Sequence, residues 1–521
     1  MHTLSLPAHG ASPQRFSANS CLLELPHKPW RFFRHGWQSW AFSSWVDPQA
    51  PAVPIRAAQF RAKDEDPLYA LAQKHTSAWV AAVQLDVDDI VLIGGMDWGA
   101  RVQFEENRLR AFYESGEGEW LLVRSTESEA FSYYTQALLE RYPRSSPRKT
   151  PRVWCSWYSL YRFIREESLH HVLRELGDLP FDVFQIDDGW QISTGDWEAN
   201  PRFPSGMADL AERIRASGRQ AGLWLSPFIV TPDSTIYRKS PEWLLRDSEG
   251  KPVFAGRNWS GMTYALDVTH PAVLEWLEET IRRVIGWGYS YLKLDFLYAA
   301  ALPGRRYREM PRETAYRQAL AVIRAAAPEA YLLACGAPIL PSLGLCDGIR
   351  IGPDVTPFWL NRALSVWLSN PNHPSTQNAL RTSLHRLWLK PLIDIDPDVV
   401  YFRSRHNALT PEQRRWMADL ASICGFRSTS DPPHWLTASE REQLRSFLEQ
   451  EMCVEPLGEY RFRLDGREVD FRPILPLPSP QRVPLWFATS LGFLQMGVYE
   501  VLPALWESLR IRTGRNLKRG E

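Results

Sequence analysis

The stretch YLKLDFLYA, residues 291–299, decides how this chain is read. It is an apolar, β-prone run of the kind that fills the interior of a parallel sheet, yet Lys293 and Asp295 stand two residues apart within it. Side chains two apart on a strand share a face, so a cation and a carboxylate point together into whatever that face meets. An ion pair closing a strand end would satisfy this pattern, and so would the floor of an active site.

Seven further runs of the same texture surround it: RVWCSWY from 152, DVFQIDD from 182, QAGLWLSPF from 220, AYLLACG from 330, DGIRIGPD from 347, KPLIDID from 390 and SICGFRS from 422. Amphipathic stretches of helical length lie between them. MADLAERIRASG ends in a Gly suited to a helix C-terminus, and PAVLEWLEETIRRVIGWG opens with Pro. Eight β-rich runs alternating with helices predict a closed (β/α)8 TIM barrel over residues 149–435.

Before it, short alternating segments such as SAWVAAVQLDVDDIVLIGG and NRLRAFYESGEGEWLLVRS predict an N-terminal antiparallel β-sandwich over 1–148, joined through the linker RYPRSSPRKTPR. Residues 436–521 open with the helix-like TASEREQLRSFLEQ and predict a small C-terminal β-sandwich domain. There, VPLWFATSLGFLQMGVY, too short and too polar for a membrane span, reads as two short buried strands. The fold class is thus multidomain around a central barrel.

With 60 basic and 60 acidic residues among 521, no global field draws the chain to nucleic acid or to a membrane, and a neutral small-molecule partner fits better. Only nine of the cations are Lys, which makes one inside a core strand notable. Twenty-three Trp and eighteen Tyr supply core packing and faces for sugar rings. Six scattered cysteines without CxxC spacing indicate neither a disulfide framework nor a zinc site. The N-terminus lacks a basic then apolar leader pattern, so a cytoplasmic location is expected. A homo-oligomer is left open.

In a (β/α)8 barrel, chemistry gathers where the strands end at their C-terminal side. Asp187 and Asp188 end the second strand, Trp224 the third, Lys293 and Asp295 the fourth, and Cys335 the fifth. Arg350 and Asp354 end the sixth, and Asp394, Asp396 and Asp398 lie at the seventh. Two strands thus each carry a carboxylate beside a cation. Glycoside hydrolysis needs one carboxylate to attack the anomeric carbon and a second to protonate the leaving oxygen. Asp295, beside Lys293, is expected to have a lowered pKa and to be the nucleophile, leaving Asp354 as acid/base. Asp187 and Asp188 suit hydrogen bonding to sugar hydroxyls. A metallohydrolase using Asp187, Asp188, Asp394, Asp396 and Asp398 lacks any HxH or HExxH support, so no metal and no cofactor is expected. A carbohydrate-binding protein without catalysis is a third class.

These motifs together resemble the melibiase-like α-galactosidases of glycoside hydrolase family 36, which are retaining α-glycosidase barrels. The run FQIDDGWQISTGDWEANPRFPSGMADLAERIRASGRQAGLWLSPF is similar to that family's DDGW strand end, GDW-x-x-N loop, FP-x-G helix start and GLW strand, in that order. The resemblance implies Asp295 of KLDF as nucleophile, Asp354 of RIGPDV as proton donor, and Lys293 and Arg350 as sugar contacts. It further implies Cys335 and Gly336 of LLACG, Trp224, Asp187 and Asp188 as pocket lining. RHGWQSW at 34–40 resembles a loop of the family's N-terminal domain that reaches the active site, through Trp37 or Trp40. The implied activity is hydrolysis of small α-galactosides such as melibiose and raffinose-type sugars. Leu294, where Trp is common, and GAPILPSLGLCDG, where a Gly-rich turn is common, bear on substrate preference. An α-N-acetylgalactosaminidase and a raffinose-type galactosyltransferase are the alternatives within the resemblance.

Overall fold

The computed structural model describes residues 2–52, 54–55, 58–144, 148–258, 261–367, 370–477 and 483–512. Its centre is an eight-stranded parallel sheet: β1 (Arg152–Cys155), β2 (Val183–Ile186), β3 (Gln220–Leu225), β4 (Tyr289–Leu294), β5 (Tyr331–Ala334), β6 (Gly348–Arg350), β7 (Asp394–Asp396) and β8 (Arg427–Thr429). From β1 to β7 each strand pairs with the next in chain order, and β8 pairs back with β1. The seam between β7 and β8 is bridged by Val400 N–H to the Ser428 carbonyl at 2.8 Å, so the sheet fits a TIM barrel.

The strands are buried on both faces, which is why they read as near-continuous apolar runs. Stacked rings tie neighbours together, Tyr291 on Tyr331 at 5.3 Å and Trp154 on Phe184 at 4.5 Å. The helices start where local chemistry directs. His270 caps Pro271–Gly286, and Thr437 with Glu440 forms a capping box on Ala438–Glu449. Ser422–Cys424 belongs to helix Pro411–Cys424 rather than to β8, because Gly425 takes φ 82° there and ends the helix before the strand begins.

Ahead of the barrel lie a five-stranded and a six-stranded sheet, antiparallel except where His2–Leu4 runs parallel to Ser20–Glu24. Their core is continuous with that of the barrel. Two helices the sequence patterning did not mark, Ala58–Asp64 and Glu127–Arg141, accompany them. Residues 145–147 of the expected linker fall outside the described residues. Beyond them, Arg148 donates to the carbonyls of Pro328, Glu329 and Ala330 at 2.7–2.9 Å beneath β5.

A buried ionic knot locks the N-terminal sheets to the barrel. Glu313, on helix Arg312–Ala326, accepts from Arg101 at 2.7 Å, from the Gly99 N–H at 2.7 Å, and from the indoles of Trp37 at 2.8 Å and Trp79 at 3.0 Å. Arg312 pairs with Asp66 and with Glu114 at 2.7 Å. Deleting one partner of such a knot strands the others without solvent, a cost of about 3–5 kcal/mol.

The C-terminal region departs from the expected β-sandwich. One three-stranded antiparallel sheet, Val454–Gly458, Arg461–Leu464 and Arg467–Asp470, is followed by helices Leu485–Met496 and Leu502–Arg512 with a π turn between them. The two strands expected in VPLWFATSLGFLQMGVY are therefore helical. That run mixes helix formers, three Leu with Met, Gln and Ala, with three β-branched residues and four aromatics, so residue preference does not separate strand from helix there. Being apolar on all sides, it also lacks the periodicity that would have marked a helix. Among the described residues no helix is long and apolar enough to cross a membrane.

Candidate active site

The strand-end residues converge at one mouth of the barrel. Parallel pairing places Trp224 of β3 beside Lys293 of β4, and Arg350 of β6 beside Asp396 of β7. Just past β2 the chain bends at Gly189, φ 119°, and both Asp187 and Asp188 are buried. A Cβ on Gly189 would lie 2.7 Å from the Arg162 carbonyl oxygen, so the bend requires glycine.

Lys293 does not serve Asp295 directly. Its ammonium donates to Asp187 at 2.8 Å, a carboxylate that also accepts from Gln185 at 2.9 Å. Asp295 accepts instead from the Trp224 indole at 2.9 Å and from the Phe296 N–H at 2.9 Å. Burial pushes its pKa up, Lys293 pulls it back, and the charge of Asp354 pushes it up again. The lowered pKa expected for Asp295 is thus not found, because burial outweighs the pull of Lys293. Asp188, held by Gln191 at 2.6 Å, is pushed by burial up to about 6.

Asp354 sits on the opposite side, its side chain about a third exposed. It accepts from Tyr158 at 3.1 Å and from Arg350 at 3.2 Å. The Arg350 guanidinium is shared, reaching Asp396 at 3.0 Å and Asp398 at 2.8 Å. Burial lifts Asp398 to about 7 against that cation. Asp394 points elsewhere, bonded to Arg144, Thr150 and Tyr331. The acids considered for a hard cation are therefore bonded to protein partners: Lys293 for Asp187, Gln191 for Asp188, Arg350 for Asp396 and Asp398, and Arg144, Thr150 and Tyr331 for Asp394.

Cys335 is buried, its thiol pKa pushed well up by burial. Next to it Gly336, φ 56°, allows the Trp40 ring close approach, since a Cβ there would lie 2.9 Å from it. Trp40 meets Phe296 edge-on at 5.3 Å, and its buried indole N–H has no protein partner among the described residues. Trp37, by contrast, belongs to the ionic knot. Arg386 fastens the loop bearing both, donating to the carbonyls of Gly36 at 3.2 Å, Gln38 at 2.9 Å and Ala41 at 2.9 Å, and to Ile351 of the barrel at 3.0 Å.

Three residues at this mouth were not singled out from sequence: Tyr158, Arg386 and Glu500. A cavity of about 70 Å³ is lined by Tyr158, Asp354, Lys63, His373 and Glu500, the last delivered by the π turn Gly497–Val501. Glu500 interrupts an otherwise uncharged run, a signal that was available. Burial, with the charge of Asp354, pushes it up to about 8, against a pull from Lys63. Folding thus favours its protonated form. Stability from this group is fullest below its ordinary value of 4.5, falls as pH rises towards about 8, and levels above. Glu500→Gln is expected to melt higher than the wild type at pH 8–9, with the gap shrinking towards pH 5. Thermal melts across that range check it.

Comparison with known proteins follows the same geometry. The melibiase family model matches residues 124–328. The α-galactosidase AgaA of Geobacillus stearothermophilus is 32% identical over 192 residues, covering 34% of this chain and 25% of that protein. An α-galactosidase of Hypocrea jecorina is 30% identical over 31% of this chain and 24% of its own length. The chain thus spans about a quarter of these curated relatives. Among solved structures, that of AgaA superposes with a TM-score of 0.56 at 19% identity over 82% of this chain and 61% of that one, a likeness of fold. The α-galactosidase TtGalA of Thermus thermophilus, solved with p-nitrophenyl α-D-galactopyranoside, superposes with a TM-score of 0.85 at 48% identity. That alignment covers 88% of this chain and 94% of the Thermus chain. With nearly half its residues shared over almost the full length of the Thermus enzyme, and with the strand-end acids arranged as above, this chain belongs to the glycoside hydrolase family 36 α-galactosidases.

Proposed function

We propose that the chain is a retaining exo-α-galactosidase acting on small α-galactosides of the melibiose and raffinose type. The observation that carries this reading is the pair of carboxylates at the barrel mouth, Asp295 and Asp354, within each other's field but held by different donors. Asp295, oriented by Trp224 and the Phe296 N–H, attacks C1 and forms a β-galactosyl ester. Asp354, steadied by Tyr158 and Arg350, gives its proton to the departing oxygen and then takes one from water. The Lys293–Asp187 pair and Asp188 hold the hydroxyl edge of the sugar, while Cys335 and Trp40 close the pocket, the free Trp40 N–H offering a donor.

The domain assignment accompanies this reading. Residues 149–435 form the catalytic barrel, 1–148 bring Trp40 to its mouth, and 436–521 bring Glu500. Catalysis draws on these side chains alone and should persist in EDTA. Release of nitrophenol from p-nitrophenyl α-glycosides of galactose, N-acetylgalactosamine, glucose and xylose, with EDTA present, tests it. Strong preference for galactose is expected. Turnover of only another sugar, or of none, would overturn it.

A further inference from the structure

On the outer flank of the barrel, away from the site above, three elements bring unlike residues together. Helix Glu166–Leu176 carries His171 and Glu175 one turn apart, so both side chains project from one face. His434 arrives from the short turn Pro433–Trp435 that follows β8. Glu507 arrives from the C-terminal helix Leu502–Arg512. The His171 Nε2 lies 3.1 Å from Glu175, and the other oxygen of Glu175 contacts His434 Nδ1. One ligand atom from each of His171, Glu175 and His434 lies within 4.8 Å of the other two.

We propose that His171, Glu175 and His434 bind a zinc ion that fastens the C-terminal helix to the barrel. Two imidazoles and one carboxylate form a familiar donor set for this ion, and bonds of about 2.0–2.2 Å require the cluster to close by about 1 Å through side-chain rotation. The fourth position is open to water.

The far side of His434 is the more telling feature. Its Nε2 lies 2.8 Å from Glu507, which is itself held by Arg510 at 2.7 Å and by the Trp435 indole at 3.2 Å. A ligating imidazole almost always gives its second N–H to a carboxylate, which fixes the tautomer and aims the lone pair at the metal. With a metal bound, that carboxylate would hold Nε2 as the donor and leave Nδ1, which contacts Glu175, to the ion. Where His434 carries both protons, binding releases the one on Nδ1: Zn²⁺ takes its place, and the proton passes to solvent. Entry is open, since the side chains of His171 and Glu175 are 34% and 26% exposed.

The arrangement has a structural consequence. Glu507 hangs on the proposed ligand, and Glu500 lies two turns earlier on the same continuous segment. An ion at His434 therefore holds in place the segment that lines the cavity beside Asp354.

The test uses the full-length chain stripped by chelator and then dialysed against zinc chloride, with bound metal quantified. One saturable ion per chain is expected at about micromolar affinity or tighter. Affinity should fall tenfold or more in His171→Gln and in His434→Gln, and about 10–100-fold in Glu507→Gln, which leaves the three ligands in place. Zinc should also raise the melting temperature of the wild type and leave that of His434→Gln unmoved. Each variant's fold is checked by its circular dichroism and by turnover of p-nitrophenyl α-galactoside. Absence of saturable zinc on the wild type, or equal affinity in wild type and both His variants, would overturn the proposal.

Discussion

Asp295→Ala is expected to lose turnover on every α-galactoside by about 10⁴-fold or more, as when a covalent nucleophile is removed. The loss should fall on kcat for activated and natural substrates alike. The protein should still fold and bind. Asp295 is buried and faces the charges of Asp354 and Asp187, so removing its own charge relieves a crowded site. The Trp224 indole loses an acceptor, worth about 1–3 kcal/mol where that N–H is left unpaired. Asp295→Asn should be nearly as inactive, since an amide keeps the shape and neither attacks C1 nor leaves from it. Steady-state rates on melibiose and on p-nitrophenyl α-galactoside measure this. A variant retaining near-normal activity would remove Asp295 from the mechanism.

Asp354→Ala should behave differently, and the difference is the signature of an acid/base. Melibiose needs its leaving oxygen protonated, so its hydrolysis should fall by about 10²–10⁴-fold. Nitrophenolate departs without a proton. The first step on p-nitrophenyl α-galactoside should therefore survive while attack of water on the galactosyl ester slows. A burst of nitrophenol equal to the enzyme present, followed by slow turnover at a lowered KM, is the expected result. Equal losses on both substrates without a burst would contradict the assignment.

Seven of the barrel strands were legible because a parallel sheet covered on both faces must be written in apolar runs, and the polar residues ending those runs stood out against them, whereas the run read as the eighth begins inside a helix and meets β8 only at its end. YLKLDFLYA holds both halves of that logic. Its limit appears at Lys293. The sequence places a cation two residues from Asp295, and local spacing suggests a partnership, yet the register between strands delivers the ammonium to Asp187. Contacts of that range are invisible to spacing. Tyr158 reaches Asp354 from 196 residues away, and Arg386 grips a loop some 350 residues earlier. The C-terminal helices were misread for the opposite reason: LWFATSLGFLQM is apolar on every side and carries no periodicity to read. His171, Glu175 and His434 show both effects, since the first two sit at helical spacing while the third lies 259 residues from Glu175.

The central claim is that Asp295 and Asp354 divide the chemistry into attack and proton transfer, and azide separates the two roles. Each Ala variant would be supplied with p-nitrophenyl α-galactoside and sodium azide, and the configuration of the galactosyl azide read by proton NMR. In Asp295→Ala, azide enters the vacated β face and the account predicts β-galactosyl azide. In Asp354→Ala, azide intercepts the ester on Asp295 and the product should be α-galactosyl azide. The reverse pairing, α from Asp295→Ala and β from Asp354→Ala, would contradict the account.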